Sequence, residues 1–264
     1  MINSPKEIAT LYLTVGKSKT EMQVRKLFLL GILAGFFIAL GAVGANTVSC
    51  MMENPSAAKI AAGVIFPTGL AMVLIAGGEL FTGNCLILLP VLDKKVSVTA
   101  MLRNWVIVYL GNFVGAVCVA WGVCQGGQLK LFDGALATLT IQTAVNKCSH
   151  SFGAAVLLGI FCNFLVCIAV WMSFAGKTVI DKIIGLFFPI FLFVASGYEH
   201  SVANMYYIPA GIFADVAGTA ELTWGTFLFS NLLPVTIGNV IGGSVFVAAI
   251  YYLIYIKEEG KNGH

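Results

Sequence analysis

The sequence predicts an all-α integral membrane protein of six transmembrane helices, arranged as two inverted three-helix repeats. Three observations carry that reading. Of the 264 residues, 59% are hydrophobic and only 10% charged, with a mean hydropathy of +0.93, whereas a soluble domain carries roughly 25% charged residues. Apolar stretches long enough to cross a hydrocarbon core of ~30 Å recur along the whole chain. The second half of the chain also repeats motifs of the first.

The segment 1–26 mixes polar and apolar residues. Ile8, Leu11, Tyr12 and Val15 fall at helical spacing while Lys6, Lys17, Lys19, Arg25 and Lys26 face elsewhere, which predicts an amphipathic helix lying at the membrane surface. The opening Ile2-Asn3-Ser4-Pro5-Lys6 has no short apolar core with a cleavage site, so no signal peptide is expected. The membrane domain occupies 27–256, with spans near 27–48, 61–89, 104–123, 152–174, 183–212 and 226–256, and a tail at 257–264.

Orientation follows from lysine and arginine. With the N-terminus cytoplasmic, the cytoplasmic segments hold 12 of these residues and the opposite side only Lys59, Lys130 and Lys147. Both termini and the loops 91–103 and 175–182 are therefore expected in the cytoplasm of a multi-pass plasma or inner membrane protein.

Composition excludes several classes. A net charge of +3 is too small to suggest nucleic acid. The seven cysteines form no CxxC pair and no Cys/His cluster with metal spacing, so no metal or cofactor is expected. Cys124 and Cys148 flank one polar loop, but free thiols are the expectation.

Two spans are anomalous. The run 61–89 would make a helix of roughly 43 Å at ~1.5 Å per residue, and Gly77-Gly78-Glu79 interrupts it. The fifth run carries Ser196-Gly197-Tyr198-Glu199-His200 in its middle. An ionisable group at that depth is expensive unless it is buried against protein or water. Non-helical backbone there survives only where it is covered or lines a cavity. Glycine beside an ionisable residue, twice, predicts that helices 2 and 5 are broken, with Gly78, Glu79, Gly197 and Glu199 at the breaks.

The repeats are explicit. Asn104 followed by Gly111-Asn112-Phe113-Val114-Gly115 matches Asn231 followed by Gly238-Asn239-Val240-Ile241-Gly242. Leu29-Leu30-Gly31-Ile32 matches Leu157-Leu158-Gly159-Ile160, and Phe66-Pro67, Glu79 and Asn84 match Phe188-Pro189, Glu199 and Asn204. The offsets run from 120 to 128 residues. Three spans per repeat is odd, so the second repeat sits upside down, and paired broken helices place a permeation or binding site near the midplane.

At GGELFTGN (77–84), GIFCNFLVCIAVWMS (159–173), ASGYEHSVANMYYIP (195–209) and NLLPVTIGNVIGG (231–243) the chain resembles the formate/nitrite transporter family, over essentially residues 20–256. Its overall character points to the clostridial hydrosulfide-conducting branch. The resemblance implies a homopentamer of aquaporin-like protomers in membrane lipid, each with its own pore. It implies two hydrophobic constrictions, with Phe66 and Leu70 on the cytoplasmic side and Leu80 and Phe193 nearer the middle and the far side. His200 and Thr82 become the polar groups and proton relay of the pore, with Lys147, Asn163 and Asn239 around them.

Each residue also has a plainer reading. His200 could be a buried histidine bonding a neighbouring helix, and Lys147 a solvated loop lysine. Glu79 and Glu199 suit a structural role better than a pore role, because an anion path gains nothing from an exposed carboxylate. They would accept hydrogen bonds from backbone N–H groups freed at the breaks. The leading function is conduction of a small weak-acid anion: hydrosulfide, formate or nitrite. An aquaporin-type channel for water or neutral solutes is the alternative, although no Asn-Pro-Ala and no filter arginine is present. An intramembrane enzyme finds no HExxH and no nucleophile–base set.

Overall fold

The computed structural model describes residues 2–257, so most of the expected tail at 257–264 lies outside the described residues. Ten helices account for most of them: α1 (Pro5–Glu21), α2 (Val24–Ser49), α3 (Pro55–Gly77), α4 (Phe81–Leu92), α5 (Val98–Gln125), α6 (Ala135–Cys148), α7 (Phe152–Ala175), α8 (Val179–Ala195), α9 (Ser201–Ala214) and α10 (Thr226–Lys257). Among the described residues there is no strand, and the seven cysteines are free thiols.

Five of these helices (α2, α3, α5, α7 and α10) are long and apolar enough to span a membrane. The second crossing pairs α3 with α4 across the first break, and the fifth sets α8 and α9 end to end across the second. The positive-φ residues at the breaks are Gly77 (φ 98°) and Gly197 (φ 72°), a backbone that glycine alone enters without strain. Gly78, singled out from the sequence, is instead extended at φ −162°. The turn before the first break, Met72–Gly77, is π-helical, as is common next to functional sites.

Packing follows the repeat. On α2, Leu29, Leu33, Phe36 and Leu40 are exposed while Gly31, Ala34, Gly35 and Ile38 are buried, one stripe outward and one into the protein. Gly31 meets Gly111 of α5, where a Cβ on Gly111 would come 2.7 Å from the Phe28 carbonyl. Gly159 of α7 meets Gly238 of α10 in the same way. Such small-residue crossings replace the hydrophobic effect, which does not drive association inside lipid.

The apolar face of α1 is docked on protein: Ile8, Ala9, Tyr12 and Leu13 are buried against Leu86, Leu89, Val170 and Trp171, while Leu11 is 41% exposed. The buried stripe runs 8–12–16 with 9 and 13, and it covers the ends of α4, α7 and α10. One expectation is corrected: the polar segment before Lys147 is the helix α6, not a loop. Its polar residues mask a helix whose inner face is Leu136, Thr140 and Ala144. Lys19 of α1 and Lys147 of α6 are 128 residues apart, the same offset as Gly31 and Gly159. Each repeat therefore opens with a short helix that ends in an inward lysine.

The residues before α1 are tied to the end of α7, Asn3 N–H reaching the Ala175 carbonyl at 2.9 Å. Tyr252, Tyr255 and Ile256 of α10 pack in the same cluster as α1. Both ends of the described chain thus lie on one face.

Candidate functional site

The two helix breaks are built alike. Extended Leu80 leads into α4, whose first N–H, that of Phe81, donates to Asn112 Oδ1 at 2.9 Å. Asn112 Nδ2 donates to the carbonyls of Gly31 (2.8 Å) and Glu79 (2.9 Å). In the second half Ser201 N–H donates to Asn239 Oδ1 at 2.9 Å, and Asn239 Nδ2 to the carbonyls of Gly159 (2.8 Å) and Glu199 (3.0 Å). A buried amide side chain thus satisfies backbone groups that lipid could not.

The glutamates do something else. The expectation that their carboxylates take the freed N–H groups is corrected, because the asparagines hold those positions. Glu79 Oε1 accepts from Lys19 Nζ at 2.6 Å and Oε2 from Asn84 Nδ2 at 2.8 Å. Asn84 also donates to Asn104 Oδ1 at 2.9 Å, and Asn104 to the Lys19 carbonyl at 3.0 Å. The mirror set is Lys147–Glu199 at 2.8 Å, Asn204–Glu199 at 2.7 Å, Asn204–Asn231 at 2.7 Å and Asn231 to the Lys147 carbonyl at 2.7 Å. Each set ties the opening helix of a repeat to its broken helix and its last span. Glu79 and Glu199 thus accept from lysine and asparagine side chains.

The halves differ where they meet. Position 80 and its equivalent, position 200, carry leucine and histidine. His200 caps α9, its Nδ1 accepting from Ala203 N–H at 3.0 Å, and its Nε2 lies 3.1 Å from Thr82 Oγ1. Since Nδ1 accepts, the hydrogen-bond pattern assigns the ring proton to Nε2, which donates to Thr82 and leaves the threonine hydroxyl hydrogen free to donate onward. Asn163 Nδ2 braces this point, reaching the carbonyls of Thr82 (3.2 Å) and Asn239 (2.6 Å). Thr82, Asn163, Asn239 and His200 are all buried.

A cavity lies on either side. The larger, about 600 Å³, is lined by Phe66, Phe193 and His200 and holds Lys147 and Glu199. The smaller, about 250 Å³, is lined by Leu70 and Leu80 and holds Lys19 and Glu79. Phe66 and Phe193 meet edge to face with centroids 5.4 Å apart, and Phe193 stacks on His200 at 5.9 Å. The expected pairing of Phe66 with Leu70 on one side is thereby corrected. Phe66 joins Phe193 away from α1, and Leu70 joins Leu80 on the α1 side. One helical turn separates residues 66 and 70, enough to carry them to opposite sides of the centre.

Sequence reasoning missed Lys19, Asn84, Asn104, Asn112, Asn204 and Asn231 as site residues. The repeat offset already contained the signal, since each of these asparagines sits in a repeated motif and Lys19 stands 128 residues before Lys147.

Two cavities with apolar side chains in their linings, on either side of one buried polar pair between inverted repeats, define a multi-pass membrane channel or transporter for a small solute. The chain belongs to the formate/nitrite transporter family, whose profile matches residues 6–253. It is 39% identical to a probable formate transporter of Methanothermobacter thermautotrophicus, over 97% of this chain and 98% of that one. Its structure is similar to a pentameric formate channel with formate bound (TM-score 0.79, 36% identity, 88% of this chain and 98% of that one). It is also similar to an FNT family ion channel (TM-score 0.86, 28% identity, 94% of this chain and 98% of the other). These relatives are channels and transporters rather than enzymes, and they lend no support to the aquaporin-type alternative.

Proposed function

We propose that the chain forms a homopentameric channel of the cytoplasmic membrane, each protomer passing a small monovalent weak-acid anion, with formate foremost and hydrosulfide and nitrite of the same class. The carrying observation is the 3.1 Å contact between Thr82 Oγ1 and His200 Nε2, a buried polar pair between apolar side chains that leaves the Thr82 hydroxyl free to donate. The named substrates of the similar channels and transporters support formate, and the lysine bias supports cytoplasmic termini with α1 on the inner face.

An anion crossing the Phe66–Phe193 and Leu70–Leu80 rings sheds its water. The Thr82 hydroxyl, held in place by the His200 Nε2–H, replaces part of that hydration with a donor whose position is already set, and Lys147 holds positive charge at one mouth. A proton passed to the anion here lowers its desolvation cost, because the neutral acid crosses apolar surface more readily. For His200 to pass that proton, its ring exchanges the Ala203 N–H bond for a proton at Nδ1. Proteoliposome flux of formate, hydrosulfide, nitrite and glycerol in parallel, from acidic to neutral pH, tests the proposal. Anion flux with no glycerol flux is expected, and glycerol flux without anion flux would overturn it.

A further inference from the structure

The larger cavity holds a hydroxyl that neither the ion pair at its wall nor the hydrogen bond at its floor uses. Along α9 the cavity wall is the stripe His200, Ala203 and Tyr207, the i, i+3, i+7 spacing of one helix face. Between Ser201 and Ala210 every residue is buried except Tyr207. It stands two turns up the helix from His200, roughly 10 Å at ~1.5 Å per residue. The open surface of Tyr207 therefore faces the cavity, away from the centre of the protein.

Its ring is held and its hydroxyl is not. Lys147 Nζ lies over the Tyr207 ring, 5.1 Å from the centroid, while the same ammonium is tied to Glu199 Oε1 at 2.8 Å. A cation–π contact of this kind fixes the ring against a lysine that is itself fixed. Among the described residues Tyr207 Oη has no hydrogen-bond partner, yet it is not occluded as the amide nitrogen of Asn46 is. The other half of the protein has no counterpart. The offset of 120 residues that relates Glu79 to Glu199 sets Ile87 opposite Tyr207. Ile87 is fully buried beside Val96 and Met101 and takes no part in the wall of the smaller cavity.

We infer that Tyr207 is a specificity-determining residue of the larger cavity, its hydroxyl donating to an oxygen of the passing ion and so favouring small oxyanions, formate and nitrite, over hydrosulfide. The inference rests on the anion-conducting reading above and narrows its substrate class. Formate and nitrite present charged oxygens, to which an O–H group makes a short and strong hydrogen bond. Sulfur accepts weakly, so hydrosulfide recovers little for the water it gives up. Because the ring is already clamped under Lys147, the donor is in place before the ion arrives, and less ordering is needed at the moment of binding.

The test is uptake of radiolabelled formate by proteoliposomes of the full chain, unmodified and Tyr207→Phe, with nitrite and hydrosulfide as unlabelled competitors. Tyr207→Phe keeps the ring under Lys147 and removes only the hydroxyl, so the thermal unfolding midpoint and the maximal uptake should be retained. The half-saturating formate concentration is expected to rise about threefold to tenfold, the loss of one hydrogen bond to a charged group in a cavity open to water. The half-inhibiting concentration of nitrite should rise by a similar factor, and that of hydrosulfide should stay where it is. Absence of formate uptake by the unmodified chain would overturn the anion-conducting reading itself. Uptake by the unmodified chain with an unshifted half-saturation in Tyr207→Phe would overturn the role of Tyr207 alone. A shift shared equally by formate and hydrosulfide would overturn it too, since a general disturbance of the cavity does not distinguish oxygen from sulfur.

Discussion

Thr82 Oγ1 of one broken helix lies 3.1 Å from His200 Nε2 at the start of the other, so one hydrogen bond joins the two inverted repeats at their centre. Thr82→Val should leave the buried Nε2–H unpaired, at a cost of ~1–3 kcal/mol, and depress formate flux. Thr82→Ser should retain both. Thermal unfolding in detergent together with proteoliposome flux would check this, and equal flux in the valine and serine variants would remove the hydroxyl from the path.

The buried ion pairs make a stability prediction. Lys19→Met leaves Glu79, whose side chain is 6% exposed, without its 2.6 Å partner. Removing one member of a buried pair costs about 3–5 kcal/mol. Lys17→Met disturbs only a 3.7 Å pair with Glu21 whose members are 54% and 64% exposed, and should change little. Denaturation midpoints of the two variants should differ clearly.

Selectivity should depend on two rings in series. Leu80→Ala widens only the α1 side and should raise formate flux while acetate stays excluded by Phe66 and Phe193. Leu80→Ala combined with Phe193→Leu should admit acetate, because an apolar constriction selects by width and wetting. Acetate flux in the single variant at the level of the double one would show that the aromatic ring is no filter.

The expected topology can be read by impermeant thiol labelling in a cysteine-free background. Lys177→Cys serves as the inner probe and leaves the neighbouring Thr178 in place, which accepts from Asp181 N–H at 3.2 Å and caps α8. From outside, Lys177→Cys should stay unlabelled and Lys130→Cys should label readily. The reverse pattern would invert the assignment of both termini.

His200→Asn probes the proton. The amide keeps a polar donor of similar reach, so the variant should fold and pass chloride, a non-protonatable anion, at least as well as before. It should lose the pH dependence of formate movement. A pH profile equal to that of the unmodified chain would confine His200 to a hydrogen-bond role.

The sequence by itself determined the number of spans, the inversion of the repeats and the two breaks, because each is written in local terms. Apolar length sets a span, an odd count sets the inversion, and glycine beside glutamate sets a break. It also marked the asparagines of the repeats without saying what they bond, since Asn112 caps Phe81 and Asn239 caps Ser201 across helices far apart in the chain. Only the tertiary structure decided which equivalent residues lose their equivalence. Phe66 is 2% exposed, while its repeat partner Phe188 is 61% exposed, and Phe193 takes the inward place instead. It also decided that α1 and α6 are counterparts, although one reads as a surface helix and the other as a polar loop. Polarity along a short helix reports which residues tolerate water, not which lysine turns inward. That turn is made by the buried carboxylates Glu79 and Glu199, each of which needs a cation once the helix around it has packed.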